Sequence, residues 1–263
     1  MRLNRAGELD DPPSELVELL SFALALARRS GGAFDPTVQP LYRLYAEHFA
    51  RPGADPGGPS PAAIAATLAA VDHQAVELDA ALIRLQRPRM AITLNGVAQG
   101  FITDRVGAVL RRAGFENVLI DIGEALAIGH RADGREWRAA IADPAQPRRT
   151  LFELAMGENP GRLPALATSS GRGTRFAEGS RLHHLLDPHS GGSAGHHAAV
   201  SVAAPGATLA DGLSTALSIV PPAQASSLLA SWPDARAWFV DAAGGVSAAG
   251  GGADARIARA AIG

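Results

Sequence analysis

Asp211 and Thr215 stand four residues apart in ATLADGLSTALSIV, a segment that reads as a helix stopped by Pro221-Pro222. Positions four apart on a helix share a face. A carboxylate and a hydroxyl there offer two hard oxygen donors, which suit Mg²⁺ or Ca²⁺ better than zinc. Mg²⁺ takes few protein ligands and completes its shell with water and phosphate oxygens. The pair also reads as an acid near a helix start that caps it or favours its dipole, beside a packing threonine. Spacing alone favours that plainer reading.

Five of the eight histidines fall within residues 183–197: His183, His184, His189, His196 and His197. Imidazole suits a general base working near neutral pH. In a strand His183 and His184 face opposite sides, so one of them joins a given site. No HExxH pattern or other zinc spacing is present. Surface histidines in loops remain an open reading. Asn95-Gly96-Val97-Ala98-Gln99-Gly100 is a glycine-containing turn entering a helix, a place where backbone approaches a ligand and a helix N-terminus favours phosphate. It also reads as an ordinary tight turn. Gly31-Gly32-Ala33-Phe34-Asp35-Pro36-Thr37 reads as a helix end followed by an Asx-type turn.

Around these residues the pattern sets a framework. Pro12, Pro13 and Ser14 start a helix whose Leu16, Leu19, Leu20, Ala23, Leu24 and Ala27 recur at helical spacing, and Gly31-Gly32 ends it. The prolines of AFDPTVQPLYRLY exclude a regular central strand. Residues 51–61 read as a loop, and a second helix covers about Pro61–Ala70. Strands are expected at 74–78 and 82–85. ITLNGVAQG reads as a strand entering a turn. FITDRVGAVLRRAG then reads as a helix with Val106, Val109, Leu110 and Ala113 on one face, and NVLIDIG as a buried strand. Further strands fall at 136–142, 151–155, ALATSS and HAAVSVAAP, with a hairpin turning at Glu178-Gly179. A helix at about 222–230 precedes short strands at WFVD and GVSAA. GGVSAAGGGA is a glycine-rich turn and tail, since no Lys-Ser/Thr and no helix follow it.

The 263 residues, 47% hydrophobic, are enough for a substantial core, as one large domain or two closely joined lobes. A net charge of -2 gives no basic field for nucleic acid or an anionic membrane. With no cysteine, disulfides and thiolate chemistry are excluded. There is no lysine either, since all 24 basic residues are arginine, so no Schiff base and no lysine clamp on phosphate is available. The N-terminal MRLNRAGELDDPPSELVELL does not read as a signal peptide, and no apolar run approaches membrane-spanning length.

Taken in order, these segments resemble the ApbE family of FAD:protein FMN transferases. GGAFDPTVQPL resembles GxFDPTVGPL, TLNGVAQGFITDRV resembles DLGGIAKGYAVDRV, and NVLIDIGE resembles NALVNLGGD. ALATSS followed by HLLDPHSG resembles ATSG followed by HIIDPRTG, and ATLADGLSTAL resembles ATLADALATAL. The resemblance covers about residues 1–220, spacings included. It implies a single α+β domain of mixed, largely antiparallel sheets with flanking helices, two lobes with FAD in the cleft, and a further strand upstream of residue 1.

Its functional implication is cleavage of FAD with Mg²⁺, attachment of FMN to a Thr hydroxyl of an acceptor flavoprotein, and release of AMP. By motif, Asp211, Thr215 and the Gly96 carbonyl would hold the metal, with Ser214 close by. His184 would be the general base. Thr93 and Gln99 match positions that contact FAD, Tyr45 and Ala46 fall where the family packs flavin, and Leu185 contacts FAD through its backbone. The chain departs from the pattern at Gln99, where the usual residue is lysine, and at Phe101, where it is tyrosine. Thr93, Asn95 and His189 replace Asp, Gly and Arg. Those departures motivate two other readings: an FAD-binding protein without transfer, and an enzyme that hydrolyses FAD to FMN and AMP. A histidine-cluster metal hydrolase is the reading from a different class. Relatives are commonly exported, whereas this chain carries no export signal.

Overall fold

The computed structural model describes residues 2–250, so the glycine-rich tail beyond Gly250 lies outside the described residues. Contacts divide the chain into two interleaved units. One comprises residues 1–96 and 171–195; the other comprises residues 97–170 and the chain from 196 onward.

The first unit opens with α1 (Leu3–Ala6), β1 (Glu8–Asp10) and α2 (Ser14–Arg29). The apolar stripe of α2 buries Leu20 and Leu24 against Leu3, Ile83 and Ile92. The helix ends as its glycines require: Gly32, at φ +83°, turns its N–H back to the Ala27 carbonyl. Next come a 3₁₀ turn (Pro36–Val38), α3 (Gln39–Phe49), α4 (Pro61–Leu68), β2 (Val76–Leu78) and β3 (Leu82–Leu85). Strands β1, β3 and β2 form an antiparallel sheet in that order.

One exclusion holds here and one expectation changes. The proline-containing segment excluded as a strand is helical, because Pro40 occupies the first turn of α3, where its missing N–H costs nothing. Residues 91–94, expected as a strand, pair with no strand. The Asn4 side chain takes both backbone groups of Ile92, and Thr93 N–H donates to the Pro36 carbonyl.

The second unit contains α5 (Ala98–Arg112), β4 (Val118–Asp121), β5 (Ala125–Ile128), β6 (Trp137–Ala142), β7 (Thr150–Met156), β8 (Ala165–Ser169), β9 (Ala199–Ala204), α6 (Ala207–Ile219), α7 (Pro222–Leu229), β10 (Arg236–Val240) and β11 (Val246–Gly250). Six strands form one antiparallel sheet in the order β11-β10-β9-β8-β5-β4, and β6 and β7 pair as a separate hairpin. Every residue of β9 is buried, as befits a central strand covered on both faces. Helix α6 lies against β8, β9 and α5. Its Ala210, Leu213, Ala216 and Leu217 are buried, as expected for a helix apolar on most sides.

The buried face of α5 differs from the one its valines suggest. Gly100, Thr103 and Gly107 are buried, whereas Val109 is 54% exposed. The cause is close helix contact: a Cβ on Gly100 would stand 2.3 Å from the Ala207 carbonyl oxygen. Strand β4 is also less enclosed than expected, since only Ile120 is buried. Residues 175–183 turn back as a hairpin with one bridge, Arg175 to His183, and Gly179 at its tip has φ +70°. Among the described residues no helix is long and apolar enough to cross a membrane.

Candidate functional site

In the second unit, the residues that carry chemistry gather on α6 and the elements around it. The helix begins at Gly206, whose lack of a side chain leaves the first-turn N–H groups without a local cap. Asp104 on α5 supplies one. Its carboxylate accepts from Ala207 N–H at 2.8 Å, Thr208 N–H at 2.8 Å and the Thr208 hydroxyl at 2.6 Å. This long-range cap fixes the start of α6 and hence the rotation of the turn bearing Asp211.

Asp211 is 5% exposed. One carboxylate oxygen accepts the Gly100 N–H at 3.0 Å, its only side-chain hydrogen bond among the described residues. Burial pushes its pKa up to about 6, against the pull of that single bond. One turn on, hydroxyls converge. Ser214 Oγ donates to the Asp211 carbonyl at 2.9 Å, which uses its one proton. Ser169 Oγ, 2.7 Å away, is therefore the donor to Ser214. Thr215 Oγ1 lies 3.4 Å from Ser169 Oγ. Ser214 is thus a pin between β8 and α6, and Thr215 retains lone pairs for a ligand.

Glu124, between β4 and β5, completes the group. It is 7% exposed, and its neighbour Ala125 pairs with Leu166 of β8. Burial, reinforced by repulsion from Asp211, raises its pKa to about 8. Gln99 reaches the same hairpin: a Cβ on Gly123 would stand 2.4 Å from its amide nitrogen. At Phe101 the ring is covered by the Arg105 guanidinium, 4.7 Å from its centre. A buried carboxylate with one hydrogen bond, beside a second carboxylate and a hydroxyl with lone pairs to spare, is a hard-oxygen donor set lacking a positive partner among the described residues. It fits a small divalent cation such as Mg²⁺.

The first unit holds the other expected residues. Gly96 is its last residue, in the turn before α5, and Thr93 is half-buried with its Oγ1 accepting from Asn95 N–H at 3.3 Å. His184 Nδ1 lies 3.0 Å from the Thr174 carbonyl. A carbonyl only accepts, so Nδ1 carries the proton and Nε2 presents a lone pair, the form a general base requires. Leu185 is buried and its carbonyl accepts from Ala194 N–H. Ala46 is half-buried on α3.

Tyr45 does not offer the flavin-packing surface expected of it. It is 2% exposed, its ring stacks on Phe176 at 5.1 Å, and its hydroxyl donates to the Gly191 carbonyl. Asp35 proves structural, binding Thr37 through its backbone N–H and hydroxyl and His73 through its N–H and Nδ1. His189 stands over Gly32 at the edge of a cavity of about 450 Å³ that Arg28, Asp35 and His73 also line.

His183 packs on Gly171, and His196 and His197 belong to the other unit. Among the described residues, no three His, Cys, Asp or Glu side chains form a group that could hold a metal ion. Asp104 and Glu124 were not singled out from the sequence. Their signals were slight: an acid one turn into a helix, and the second of two acids in the largely apolar run NVLIDIGEALAIG.

The model of the ApbE family matches residues 1–239. The FAD:protein FMN transferase of Haemophilus influenzae is 29% identical over 229 residues, covering 83% of this chain and 65% of its own length. That of Treponema pallidum is 30% identical over 252 residues, covering 86% and 65%. The chain therefore spans about 65% of the length of these curated relatives. Among solved structures, the ApbE protein of Thermotoga maritima superposes with a TM-score of 0.80 at 25% identity, over 94% of this chain and 80% of that one. The apo form of the flavinyl transferase ApbE of Pseudomonas stutzeri gives 0.73 at 28% identity, over 94% and 77%.

Proposed function

The chain belongs to the ApbE family, and from that premise we propose that it is an Mg²⁺-dependent FAD:protein FMN transferase. It cleaves the FAD diphosphate, joins the FMN phosphate to a threonine hydroxyl of an acceptor flavoprotein, and releases AMP. The observation that carries the reading is the pair on α6, buried Asp211 and half-buried Thr215, which has no positive partner among the described residues.

Asp211 and Thr215 hold the cation, with the Gly96 carbonyl as a further donor. When bound, Mg²⁺ neutralises charge on the diphosphate oxygens. His184 Nε2 takes the proton of the acceptor hydroxyl as that oxygen bonds to the FMN phosphorus. The phosphorus–oxygen bond to AMP then breaks, and AMP leaves with the electron pair. Gln99 hydrogen-bonds FAD without adding charge, Thr93 contributes a hydroxyl, and the Leu185 backbone and Ala46 contact the dinucleotide. The whole chain acts as a single transferase domain built from both units.

Incubation with FAD and Mg²⁺, with and without a threonine-containing acceptor, followed by mass spectrometry, tests this. AMP together with an FMN-bearing acceptor is expected. Free FMN and AMP formed without acceptor would favour hydrolysis, the reading that Gln99 and Phe101 motivate. FAD returned intact in both incubations would overturn the proposal.

A further inference from the structure

Among the described residues the second unit buries three carboxylates, Glu124, Asp143 and Asp211, and half-buries Asp104, and they are treated differently. Asp143, 4% exposed, pairs with the Arg149 guanidinium at 3.4 Å and accepts the Ala145 N–H. Asp104, half-buried, caps α6 with three hydrogen bonds. Glu124 and Asp211 are as buried as Asp143 and have no cationic partner among the described residues, and the Asp211 charge helps to raise the pKa of Glu124. Two carboxylates facing each other out of water are held apart only at a cost, unless a positive charge is supplied between them.

The elements around Glu124 aim it at the cation ligands. Ala125, the residue after it, pairs with Leu166 of β8, and Ser169 at the end of that strand bonds Ser214 and reaches Thr215. Gln99, packed on Gly123, adjoins Gly100, whose N–H holds Asp211. The β4–β5 turn, the end of β8, the start of α5 and the middle of α6 therefore converge on one small volume lined by oxygen. Gln99 carries no charge, and the chain has no lysine, so no ammonium is available to balance the two acids.

We propose that Glu124 is a second carboxylate of the divalent-cation site, sharing with Asp211 the charge of the bound ion. This rests on the reading of Asp211 and Thr215 as cation ligands. Two carboxylates neutralise a dication without help from substrate phosphate, so the ion binds before FAD arrives. Mg²⁺ is commonly held by one or two carboxylates with water completing its shell.

The test is binding of Mn²⁺ to metal-free protein without FAD, followed by electron paramagnetic resonance at pH 8, with competition by Mg²⁺. Wild type is expected to bind one ion. Glu124→Gln weakens binding at least tenfold, while its urea midpoint in EDTA equals or exceeds that of wild type because a like-charge contact is gone. Glu124→Asp, which keeps the charge, retains part of the affinity. Wild-type affinity in Glu124→Gln, with binding abolished in Asp211→Asn, would overturn the role of Glu124 and leave that of Asp211 standing. Undiminished binding in Asp211→Asn would overturn the cation site itself. A Glu124→Gln protein that is less stable than wild type in EDTA would mark Glu124 as a structural strut, and no binding by wild type without FAD would equally overturn the proposal.

Discussion

Replacing Asp104 by alanine tests how α6 is held. The carboxylate receives two backbone N–H groups and one hydroxyl from the first turn of α6, all within 2.8 Å. Ala207 is fully buried, so water does not replace the bond to its N–H. Two unmet donors at about 1 kcal/mol each, plus roughly 0.5–1 kcal/mol for the lost negative charge at a helix N-terminus, give a destabilisation of about 3 kcal/mol. Thr208→Val, which removes only the hydroxyl bond, costs about 1 kcal/mol. Urea unfolding followed by tryptophan fluorescence is the suitable assay, because Trp137, Trp232 and Trp238, the chain's 3 tryptophans, all lie in the unit containing α6. In Asp104→Ala the loss reaches Asp211 as well, since the turn carrying it is no longer fixed in rotation, and Mn²⁺ affinity falls. A stability within about 0.5 kcal/mol of wild type, the range of ordinary surface changes, would refute the capping argument.

Further outcomes follow from the same geometry. Gly100→Ala places a Cβ 2.3 Å from a backbone oxygen of α6, so it costs about 3 kcal/mol or more, read as a lower urea midpoint; an unchanged midpoint would contradict the close contact of the two helices. Glu124 and Asp211 have folded pKa values of about 8 and about 6, above their ordinary values. Protonation thus favours the fold, and the stability they contribute is present in full below about pH 4 and lost as pH rises toward 8. In EDTA the free energy of unfolding should fall by about 2–4 kcal/mol between pH 5 and 8, and Mg²⁺ at pH 8 should restore much of it. A profile matching that of Glu124→Gln would remove Glu124 as the cause. His184→Ala should lower FMN transfer by about 10²–10⁴-fold with Mn²⁺ binding unchanged, as measured by mass spectrometry and resonance. Chelation by EDTA should stop AMP release, and Mg²⁺ should restore it.

Helical spacing alone brings Asp211 and Thr215 to one face of α6, while the reading of that pair as a cation site came from the resemblance to the ApbE family. The course of α2 was equally plain, since its leucine stripe and its terminal glycines act locally. What escaped was set by distant partners. Ile92 reads as strand, but its backbone groups belong to the Asn4 side chain. The valines of α5 mark an apolar face, yet the glycines decide which side another helix can approach. Tyr45 has the right type to meet an aromatic ligand, but Phe176, far along the chain, already covers it. Glu124 is the second of two acids in a largely apolar run, and its meaning depends on β8 and Asp211, which no local pattern connects to it.

The interleaving of the two units has a consequence for biogenesis. Residues 171–195 complete the unit begun by residues 1–96, while the intervening stretch belongs to the other unit. Neither half can therefore reach its native state as a nascent chain until the ribosome has passed well beyond it. The six-stranded sheet waits longest, because β9, its fully enclosed strand, and β10 are made after the insertion. Fragments cut at residue 96 or 170 would each lack part of their own core and should be recovered as aggregates, whereas co-expressed fragments divided within the exposed residues 145–149 keep each missing piece available for assembly.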